Sequence, residues 1–370
     1  MARVLVAANS IWNIENFRRG LVRSLLRAGH QVTTLAPEGS GIHIDGVRIP
    51  HRTFRMQRSG TNPLKDLACL RDLARIVREE RPQIFFSFTI KPNIYGSIAC
   101  ALSKVPAVPN VSGLGTTFLG SPLLRRAISL MYRVAFAGAP VVFFQNPDDR
   151  DLFVSLRIVK AGQALVLPGS GIDLSSFAPV KLPKELRFLM IARLLRDKGV
   201  HEFVEAARKL RFALPTATFF LLGELDRGNP TAVGQDELDE WIAEGAIQYL
   251  GSTADVRQFI ANATAVVLPS YREGLPRTLL EGAAMARPLI ATDVPGCRQV
   301  VRDGVTGYLC EPRSADSLAT AMMRFALTSH EERVSMGERA RIMAEEEFDE
   351  ALVIRAYLDV ATELTSPRAN

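Results

Sequence analysis

Hydrophobic positions in the first half of the chain follow two alternating patterns. The continuous apolar run at residues 3–8 predicts a buried strand, and residues 18–37 predict a helix that stops at Gly29 and then a second strand. Residues 64–88 repeat that order, with an amphipathic helix, a break at Pro82 and a strand. A parallel sheet with helices on both faces is the architecture that this alternation favours.

The second half of the chain repeats the alternation. Short apolar runs, mostly separated by helical segments, predict strands at 186–193, 216–224, 247–251, 264–270, 287–293 and 307–310. The intervening residues 167–185 are rich in Pro, Gly and Ser and are the best linker candidate. We therefore predict an α/β protein of two Rossmann-like, doubly wound domains, 1–172 and 173–349, that face each other across a cleft. A final helix at 350–366 is expected to pack back toward the first domain.

Composition agrees with two globular domains. A chain of 370 residues is longer than the size at which one hydrophobic core usually stops growing, and 47% hydrophobic and 23% charged residues are ordinary proportions. The four cysteines show no C-x-x-C spacing, which predicts buried, reduced thiols in a cytoplasmic protein. The apolar run at the start is too short for a signal peptide, and no run approaches the length of a membrane span.

Charge is unevenly distributed along the chain. The net charge is +6, but residues 1–175 hold 22 Lys and Arg against 11 Asp and Glu, whereas the remainder holds 23 against 28. A basic first half predicts an anionic partner, for which nucleic acid, an anionic membrane face and a phosphorylated substrate are candidates. A solvated basic surface without a partner is the alternative.

The loop after the predicted strand at 186–193 carries two cations. Arg193 and Lys198 flank the strand end, and a helix opens at about Gly199. Because the free N–H groups and the dipole of the helix add to the fixed charges, this arrangement suits a diphosphate. An ordinary surface pair of cations is the alternative.

Two carboxylates follow the predicted strand at 264–270. Pro276 suits the first position of the next helix, and Gly274 allows a ligand to approach the backbone. Glu273 then lies at the strand end, and Glu281, about two turns further on, suits paired hydroxyls such as those of a ribose. The alternative is a solvated helix face with an acid that complements the helix dipole.

These motifs, E-x7-E on a strand–loop–helix preceded by R-x4-K, resemble the retaining glycosyltransferases of family 4, which have the GT-B fold. The resemblance runs through nearly the whole chain and includes ARLLRDKGVHEF, LPSYREGLPRTLLEGAAMARPLIATDVPGC and DGVTGYL. The segments FTIKPNIYGSIA, VSGLG and GELDRGNP are similar to a subgroup that comprises the N-acetylgalactosaminyltransferases of bacterial N-glycan assembly and enzymes of surface-polysaccharide synthesis.

The resemblance implies a role for each matching position. Arg193 and Lys198 would hold the diphosphate of the donor. Glu273 would bind hydroxyls of the donor sugar, and Glu281 would bind the ribose. The other donor-side positions are Gly274, Leu275, Pro276, Gly251, Ser252, Gly223, Asn9, Ser10 and Ser112.

The first domain is implied to hold the acceptor. Arg18 matches a Phe-x-Arg of the family and is expected to face the acceptor phosphate, and Lys91 is a further cleft candidate. This domain also departs from the family pattern, because many relatives carry a glycine pair where Asn9 and Ser10 stand, and a histidine where Ser112 stands. The serine leaves open how that side of the donor sugar is held and argues against an essential protein base there.

No metal or other cofactor is expected. In the chemistry implied for the family, fixed cations stabilise the departing diphosphate electrostatically without a metal. Asp149 and Asp151 form an Asp-x-Asp of the kind that binds manganese in other glycosyltransferases. Asn146 and Pro147 instead predict a helix start whose dipole these acids complement.

Basic and apolar residues are interleaved in two stretches of the first half. They are Arg48, Arg52, Arg55 and Arg58 around Phe54 and Met56, and Arg125, Arg126 and Arg133 within 116–136. Such a surface can dock on an anionic bilayer without crossing it. Helix packing with flanking charges is the alternative for the second stretch, and the lack of aromatic stacking platforms argues against nucleic acid.

The leading hypothesis is a retaining glycosyltransferase at the cytoplasmic face of the inner membrane. It would move a sugar, an N-acetylhexosamine according to the resemblance, from a UDP-sugar to a polyprenyl-diphosphate-linked acceptor in surface-polysaccharide or glycoprotein-glycan assembly. A transferase with a soluble acceptor and a UDP-sugar 2-epimerase are alternatives with the same fold. A non-catalytic sensor of sugar nucleotides is an alternative from another class.

Overall fold

Two compact units make up the chain. The computed structural model describes residues 1–57, 60, 62–114, 122–226 and 228–366. Unit 1 comprises Met1–Ser170 and Glu350–Asn370, and unit 2 comprises Gly171–Asp349. Each unit contains a parallel sheet with helices between successive strands, which confirms the predicted α/β class.

Unit 1 is built on a sheet of short parallel strands. The strands of this unit are β1 (Arg3–Ala7), β2 (Gln31–Ala36), β3 (His43–Ile44), β4 (Val47–Arg48), β5 (His51–Thr53), β6 (Ile84–Phe88), β7 (Ala107–Val111), β8 (Val142–Phe144) and β9 (Ala164–Val166). The sheet has the order β5-β2-β1-β6-β7-β8-β9, and β3 and β4 form a separate antiparallel hairpin. Every residue of β6 and β7 is buried, as expected for strands that helices cover on both faces.

Some helices of unit 1 begin at residues whose side chains cap them. Those that precede unit 2 are α1 (Ile11–Phe17), α2 (Arg19–Arg27), α3 (Pro63–Glu80), α4 (Ser97–Leu102), α5 (Pro122–Phe136) and α6 (Pro147–Ser155). The side-chain oxygens of Ser10, Asn62 and Asn146 accept hydrogen bonds from backbone N–H groups in the first turns of α1, α3 and α6. The cap at Asn146 and the first helical position of Pro147 confirm the helix start predicted there.

Unit 2 repeats the architecture with a second parallel sheet. Its strands are β10 (Arg187–Ile191), β11 (Thr218–Leu222), β12 (Gln248–Tyr249), β13 (Ala265–Leu268), β14 (Leu289–Thr292) and β15 (Gly307–Cys310). Its helices are α7 (Val200–Leu210), α8 (Gln235–Ala243), α9 (Arg257–Ala261), α10 (Arg277–Ala284), α11 (Cys297–Val300), α12 (Ala315–Leu327) and α13 (His330–Glu347). The sheet order is β12-β11-β10-β13-β14-β15, so the direction of winding reverses between β10 and β13.

The last helix, α14 (Glu350–Thr365), belongs to unit 1. Its Tyr357 is fully buried, with its ring 5.0 Å from that of Phe86 and 4.8 Å from that of Phe143. The side-chain amide of Asn110 donates a hydrogen bond to the Tyr357 hydroxyl at 2.8 Å. The chain therefore leaves unit 1, forms the whole of unit 2, and returns to complete the first core.

The two ends of unit 2 are neighbours. The backbone N–H of Ile172 donates to the carbonyl of Phe348 at 2.8 Å, and Ile172 forms an isolated parallel bridge with Asp349. Ile172 is fully buried in the core of this unit. The entering and leaving segments are thus fixed side by side.

Several predicted features differ from the structure. The patterns missed α1, β5 and the β3–β4 hairpin, because elements this short carry too few residues to show a period. The first basic stretch is not a free basic surface, since Arg52 pairs with Glu79 and Glu80, and Arg55 pairs with Asp72 at 2.8 Å. Arg58 lies outside the described residues.

One prediction from composition agrees with the structure. The cysteines, which are Cys69, Cys100, Cys297 and Cys310, are all free and buried. Among the described residues, no helix combines the length and the apolar character that a membrane crossing requires.

Candidate functional site

The loops after β10 and β13 meet at the point where the sheet of unit 2 reverses its order. In open α/β sheets, this point beyond the carboxyl ends of the strands is where ligands bind. The backbone N–H of Tyr271 donates to the carbonyl of Asp197 at 2.9 Å. Gly199 has a φ of +77°, and a Cβ there would lie 2.1 Å from the carbonyl oxygen of Pro269. The two loops are therefore in close backbone contact, which only glycine permits at this position.

Lys198 and Glu273, predicted from separate motifs, form an ion pair between these loops. The Lys198 Nζ lies 2.5 Å from Glu273 Oε1, and the two side chains are 21% and 14% exposed. Lys198 ends a 3₁₀ turn that precedes α7. The backbone beside Glu273 is held from the other side by Gly296, where a Cβ would lie 2.4 Å from the carbonyl oxygen of Gly274.

Arg193 follows β10 by two residues and pairs with an acid that the sequence reading did not single out. Its Nη1 lies 2.9 Å from Asp226 Oδ2, and its side chain is 52% exposed. Asp226 follows β11 at the same edge of the sheet, and this position after a strand is the signal that could have identified it.

Gly223 and Gly251 bring the ends of β11 and β12 against this loop. A Cβ on Gly223 would lie 1.7 Å from the carbonyl oxygen of Ala192, and the Gly223 N–H donates to the carbonyl of Gly251 at 2.8 Å. Gly251 has a φ of +74° and no atom near its missing Cβ, and the neighbouring Ser252 is exposed. Both predicted positions therefore lie at the carboxyl edge, next to the β10 loop.

Glu281 lies one turn inside α10 and is held by a cation. Its Oε1 accepts a hydrogen bond from Arg277 Nε at 2.9 Å, and its side chain is 12% exposed. Burial raises the pKa of Glu281 above its ordinary value, while the charge of Arg277 opposes that rise. The hydroxyl of Thr278 donates to the carbonyl of Ile191 at 3.2 Å, which ties the start of α10 to the end of β10.

The start of α10 corrects one detail of the prediction. Pro276 is the residue before the first helical position, with an extended ψ of 115°, and Arg277 is the first residue of the helix. Glu281 is therefore the fifth residue of α10, about one turn from its start. Leu275, half-buried, continues the backbone between Gly274 and Pro276.

The predicted residues of unit 1 lie mostly beyond its strand ends. Asn9 and Ser10 follow β1, and the Ser10 hydroxyl accepts from the backbone N–H of Asn13 at 3.2 Å. Ser112 follows β7 and is half-buried. Lys91, after β6, pairs with Asp66 at 2.6 Å.

Arg18 differs from the other predicted residues because it is almost fully buried. It lies between α1 and α2 with 3% of its surface exposed. Its guanidinium carbon lies 3.9 Å from the centre of the Phe88 ring, at the end of β6. The residues predicted as a site in unit 1 thus lie next to β1, β6 and β7. The sheet of unit 1 reverses its order between β1 and β6.

The Asp-x-Asp sequence lies on α6 as a helix start. The buried Asp149 receives a side-chain hydrogen bond from Asn146, and Asp151 pairs with Arg150 at 2.7 Å. Within the described part of the chain, no group of three or more His, Cys, Asp or Glu side chains is placed to hold a metal ion.

Two protein-family models match the chain, one on each unit. The model described as "Glycosyl transferases group 1" matches residues 172–343, and that described as "Glycosyl transferase 4-like domain" matches residues 14–169. The chain belongs to this glycosyltransferase family. The paired charges of unit 2 are therefore the candidate active site of a glycosyltransferase.

Other members of the family are similar over most of their length. The N,N'-diacetylbacillosaminyl-diphospho-undecaprenol alpha-1,3-N-acetylgalactosaminyltransferase of Campylobacter jejuni is 26% identical over 94% of each chain. The UDP-Gal:alpha-D-GlcNAc-diphosphoundecaprenol alpha-1,3-galactosyltransferase of Escherichia coli is 25% identical over 70% of each chain.

Solved glycosyltransferases share the fold. A Rickettsia africae glycosyltransferase is 19% identical with a TM-score of 0.78 over 98% of each chain. Anabaena HepE, crystallised with UDP, is 18% identical with a TM-score of 0.76 over 98% of this chain and 100% of that chain. These structures confirm the GT-B fold of this glycosyltransferase.

Proposed function

We propose that this glycosyltransferase is a retaining enzyme that moves an N-acetylhexosamine from a UDP-sugar to a polyprenyl-diphosphate-linked glycan, in the assembly of a surface polysaccharide or glycoprotein glycan. The observation that carries the proposal is the pairing of Lys198 with Glu273 at the reversal point of the unit 2 sheet. Arg193 and Glu281 lie on the same two loop-and-helix segments.

The charges of these four residues match a nucleotide sugar. Arg193 and Lys198 are cations for the diphosphate, and each now has a carboxylate partner that fixes its position. Glu273 is the proposed hydrogen-bond acceptor for hydroxyls of the donor sugar, and Glu281 is the proposed acceptor for hydroxyls of the ribose. The names of the E. coli relative and of the HepE complex, which contain UDP, support uridine as the base.

The proposed chemistry follows from where charge develops. Cleavage of the sugar–phosphate bond places negative charge on the departing diphosphate, and cations already fixed near it stabilise that charge without reorganisation. Lys198 is the more enclosed of the two cations, so we assign it the larger share. In the front-side displacement that retains configuration, the leaving phosphate accepts the proton of the acceptor hydroxyl, and no metal is required by this scheme.

The proposed acceptor rests on the relatives and on unit 1. Both named relatives use acceptors linked through diphosphate to undecaprenol. Lys91, beyond β6, is the proposed acceptor-side cation. Arg18 is proposed to face the acceptor phosphate through the 3% of its surface that is exposed. A lipid-linked acceptor implies that the enzyme works against the cytoplasmic face of the inner membrane.

The test combines product analysis with one substitution. The protein is incubated with a panel of UDP-sugars and extracted polyprenyl-linked glycans in buffer with EDTA, and products are identified by mass spectrometry. We expect transfer of an N-acetylhexosamine with retained configuration. Lys198→Ala should lower kcat by about 100-fold or more, the loss typical when one group that stabilises developing negative charge is removed.

The matched control is Lys209→Ala on α7, which removes an exposed lysine paired with Asp316 in the same unit. It should leave kcat within about twofold, since exposed ion pairs contribute little. A UDP-sugar that is epimerised without an acceptor would identify the epimerase alternative. Transfer only to water-soluble glycans would identify the soluble-acceptor alternative, and donor binding without turnover in the unsubstituted protein would identify a sensor.

A further inference from the structure

Helix α5 of unit 1 presents an apolar stripe to solvent. Leu123, Leu130 and Val134 are 78%, 58% and 61% exposed, and Ala127 between them is exposed too. Their spacing of four, seven and eleven residues from Leu123 places all four on one side of the helix. The residues of α5 that enter the core of unit 1 are Ile128, Tyr132, Ala135 and Phe136. The helix is therefore apolar on two sides, of which unit 1 covers only one.

Two arginines border this stripe, and neither pairs with an acid in the part of the chain that the structure describes. Arg126 and Arg133 follow Leu123 and Leu130 by three residues, which places them along one edge of the stripe. Arg125 is also exposed, but it lies on the opposite side of the helix from Leu123. Arg125 and Arg126 form no ion pair with any described residue, and the sequence of α5 contains no Asp or Glu. Arg133 donates to the carbonyl of Leu156 at 2.7 Å and keeps its full charge.

This arrangement is unlike the other basic stretch of the unit. There Arg52 and Arg55 are neutralised by acids of α3. Arg48 of that stretch donates only to the carbonyl of Ser40. On α5, positive charge without acidic partners among the described residues lies along a stripe of exposed apolar side chains, which is the combination that favours an anionic lipid surface.

We propose that the solvent-facing side of α5 docks on the anionic face of a bilayer, with Leu123, Leu130 and Val134 entering the boundary between headgroups and acyl chains. A helix of 15 residues is about 22 Å long, shorter than the hydrocarbon layer, so α5 would lie in the plane of the surface. Arg126 and Arg133, at the edge of the stripe, would contact lipid phosphates. The purpose of this docking rests on the proposed function, because a polyprenyl-linked acceptor is held in a membrane.

The experiment measures flotation of the full chain with vesicles, without donor or acceptor. The vesicles are phosphatidylcholine alone or phosphatidylcholine mixed with phosphatidylglycerol. The unsubstituted protein should float with the mixed vesicles. Leu130→Glu/Val134→Glu should lower its partition coefficient by about tenfold or more, because two apolar side chains become anions at the surface. Arg126→Gln should lower the preference for the mixed vesicles more than Arg125→Gln does, because Arg125 lies on the opposite side of the helix.

The matched control adds the same two charges elsewhere. Phe212→Glu/Leu327→Glu alters residues of unit 2 that are 91% and 78% exposed, and it should float like the unsubstituted protein. Flotation of the α5 variant at the unsubstituted level, or no flotation of the unsubstituted protein, overturns the proposal. So does a dimer that Leu130→Glu/Val134→Glu dissociates in size-exclusion chromatography, since the stripe would then join two copies of the chain. Flotation that depends on α5 in a protein without transferase activity would support docking and contradict only the proposed function.

Discussion

At the residue scale, the candidate site consists of charges that hold one another in place. Residue spacing was enough to identify Lys198, Glu273 and Glu281 as candidates. It could not show that Lys198 and Glu273 lie 2.5 Å apart, because 75 residues separate them and their distance depends on the strand order. Arg277 was not singled out, although its position four residues before Glu281 on a helix is a signal for such a pair.

Arg277→Met should weaken donor binding more than it slows chemistry. Arg277 orients Glu281 and opposes the rise in its pKa, so its loss leaves a buried carboxylate that is protonated at higher pH. A protonated carboxyl is a poorer acceptor for ribose hydroxyls. We expect the donor KM to rise roughly tenfold with kcat little changed, as for the loss of hydrogen bonds to a charged group. The acid limb of kcat/KM should move to higher pH.

One control restores the positive charge at position 277, and the other removes an arginine elsewhere in unit 2. Arg277→Lys should recover much of the donor KM, because it restores the cation beside Glu281. Arg324→Met, which removes a half-exposed arginine of the same unit, should leave both constants unchanged. A fall in kcat at unchanged donor KM would contradict the positioning role of Arg277.

At the scale of elements, the sequence predicted where the strands lie along the chain but not which strands are neighbours in the sheet. β10 and β13 were found because their apolar runs are continuous. Their adjacency was hidden, because β11 and β12 intervene along the chain. The requirement for glycine at Gly199 and Gly296 follows from that adjacency, since each meets the backbone of the loop after β13. These glycines fix the distance between the loops and so the distance between the charges they carry.

Gly199→Ala should therefore cost both stability and activity. Gly245 is the matched control, because its φ of +69° resembles the +77° of Gly199 but its missing Cβ faces open space. Gly245→Ala should lower the free energy of unfolding by about 1–2 kcal/mol, the cost of a left-handed conformation alone. Gly199→Ala adds a contact of 2.1 Å with the Pro269 carbonyl. It should lower the thermal midpoint further and reduce transferase activity, whereas equal effects of the two variants in calorimetry would contradict the close approach.

At the scale of the whole molecule, the chain closes its first unit with its last helix. The sequence predicted an amphipathic helix at this end that packs back toward the first domain, although the period of a helix does not by itself say which core its apolar side covers. The structure answers through Tyr357, which is fully buried among rings of unit 1 and accepts a hydrogen bond from Asn110. These partners come from strands more than 200 positions earlier in the chain.

Tyr357→Ala should loosen unit 1 and leave unit 2 intact. Removing a fully buried aromatic side chain typically costs about 3–5 kcal/mol. Hydrogen exchange with peptide resolution should show reduced protection in β6, β7 and α2, with unchanged protection in β10 and β13. Leu352→Ala on the same helix is the control, because Leu352 is 44% exposed. Loss of protection spread equally over both units would contradict the assignment of α14 to unit 1.

The hydrogen bond between Ile172 and Phe348 has a consequence for how such proteins can be rearranged. It joins the entrance and the exit of unit 2, so that unit 2 is an insertion whose ends adjoin. Segments with adjoining ends can be removed, exchanged or permuted without stretching the scaffold that receives them. Unit 2, the half proposed to bind the donor, can therefore be exchanged as one piece, and hybrids spliced at positions 171 and 349 are expected to combine the donor preference of one enzyme with the acceptor preference of another.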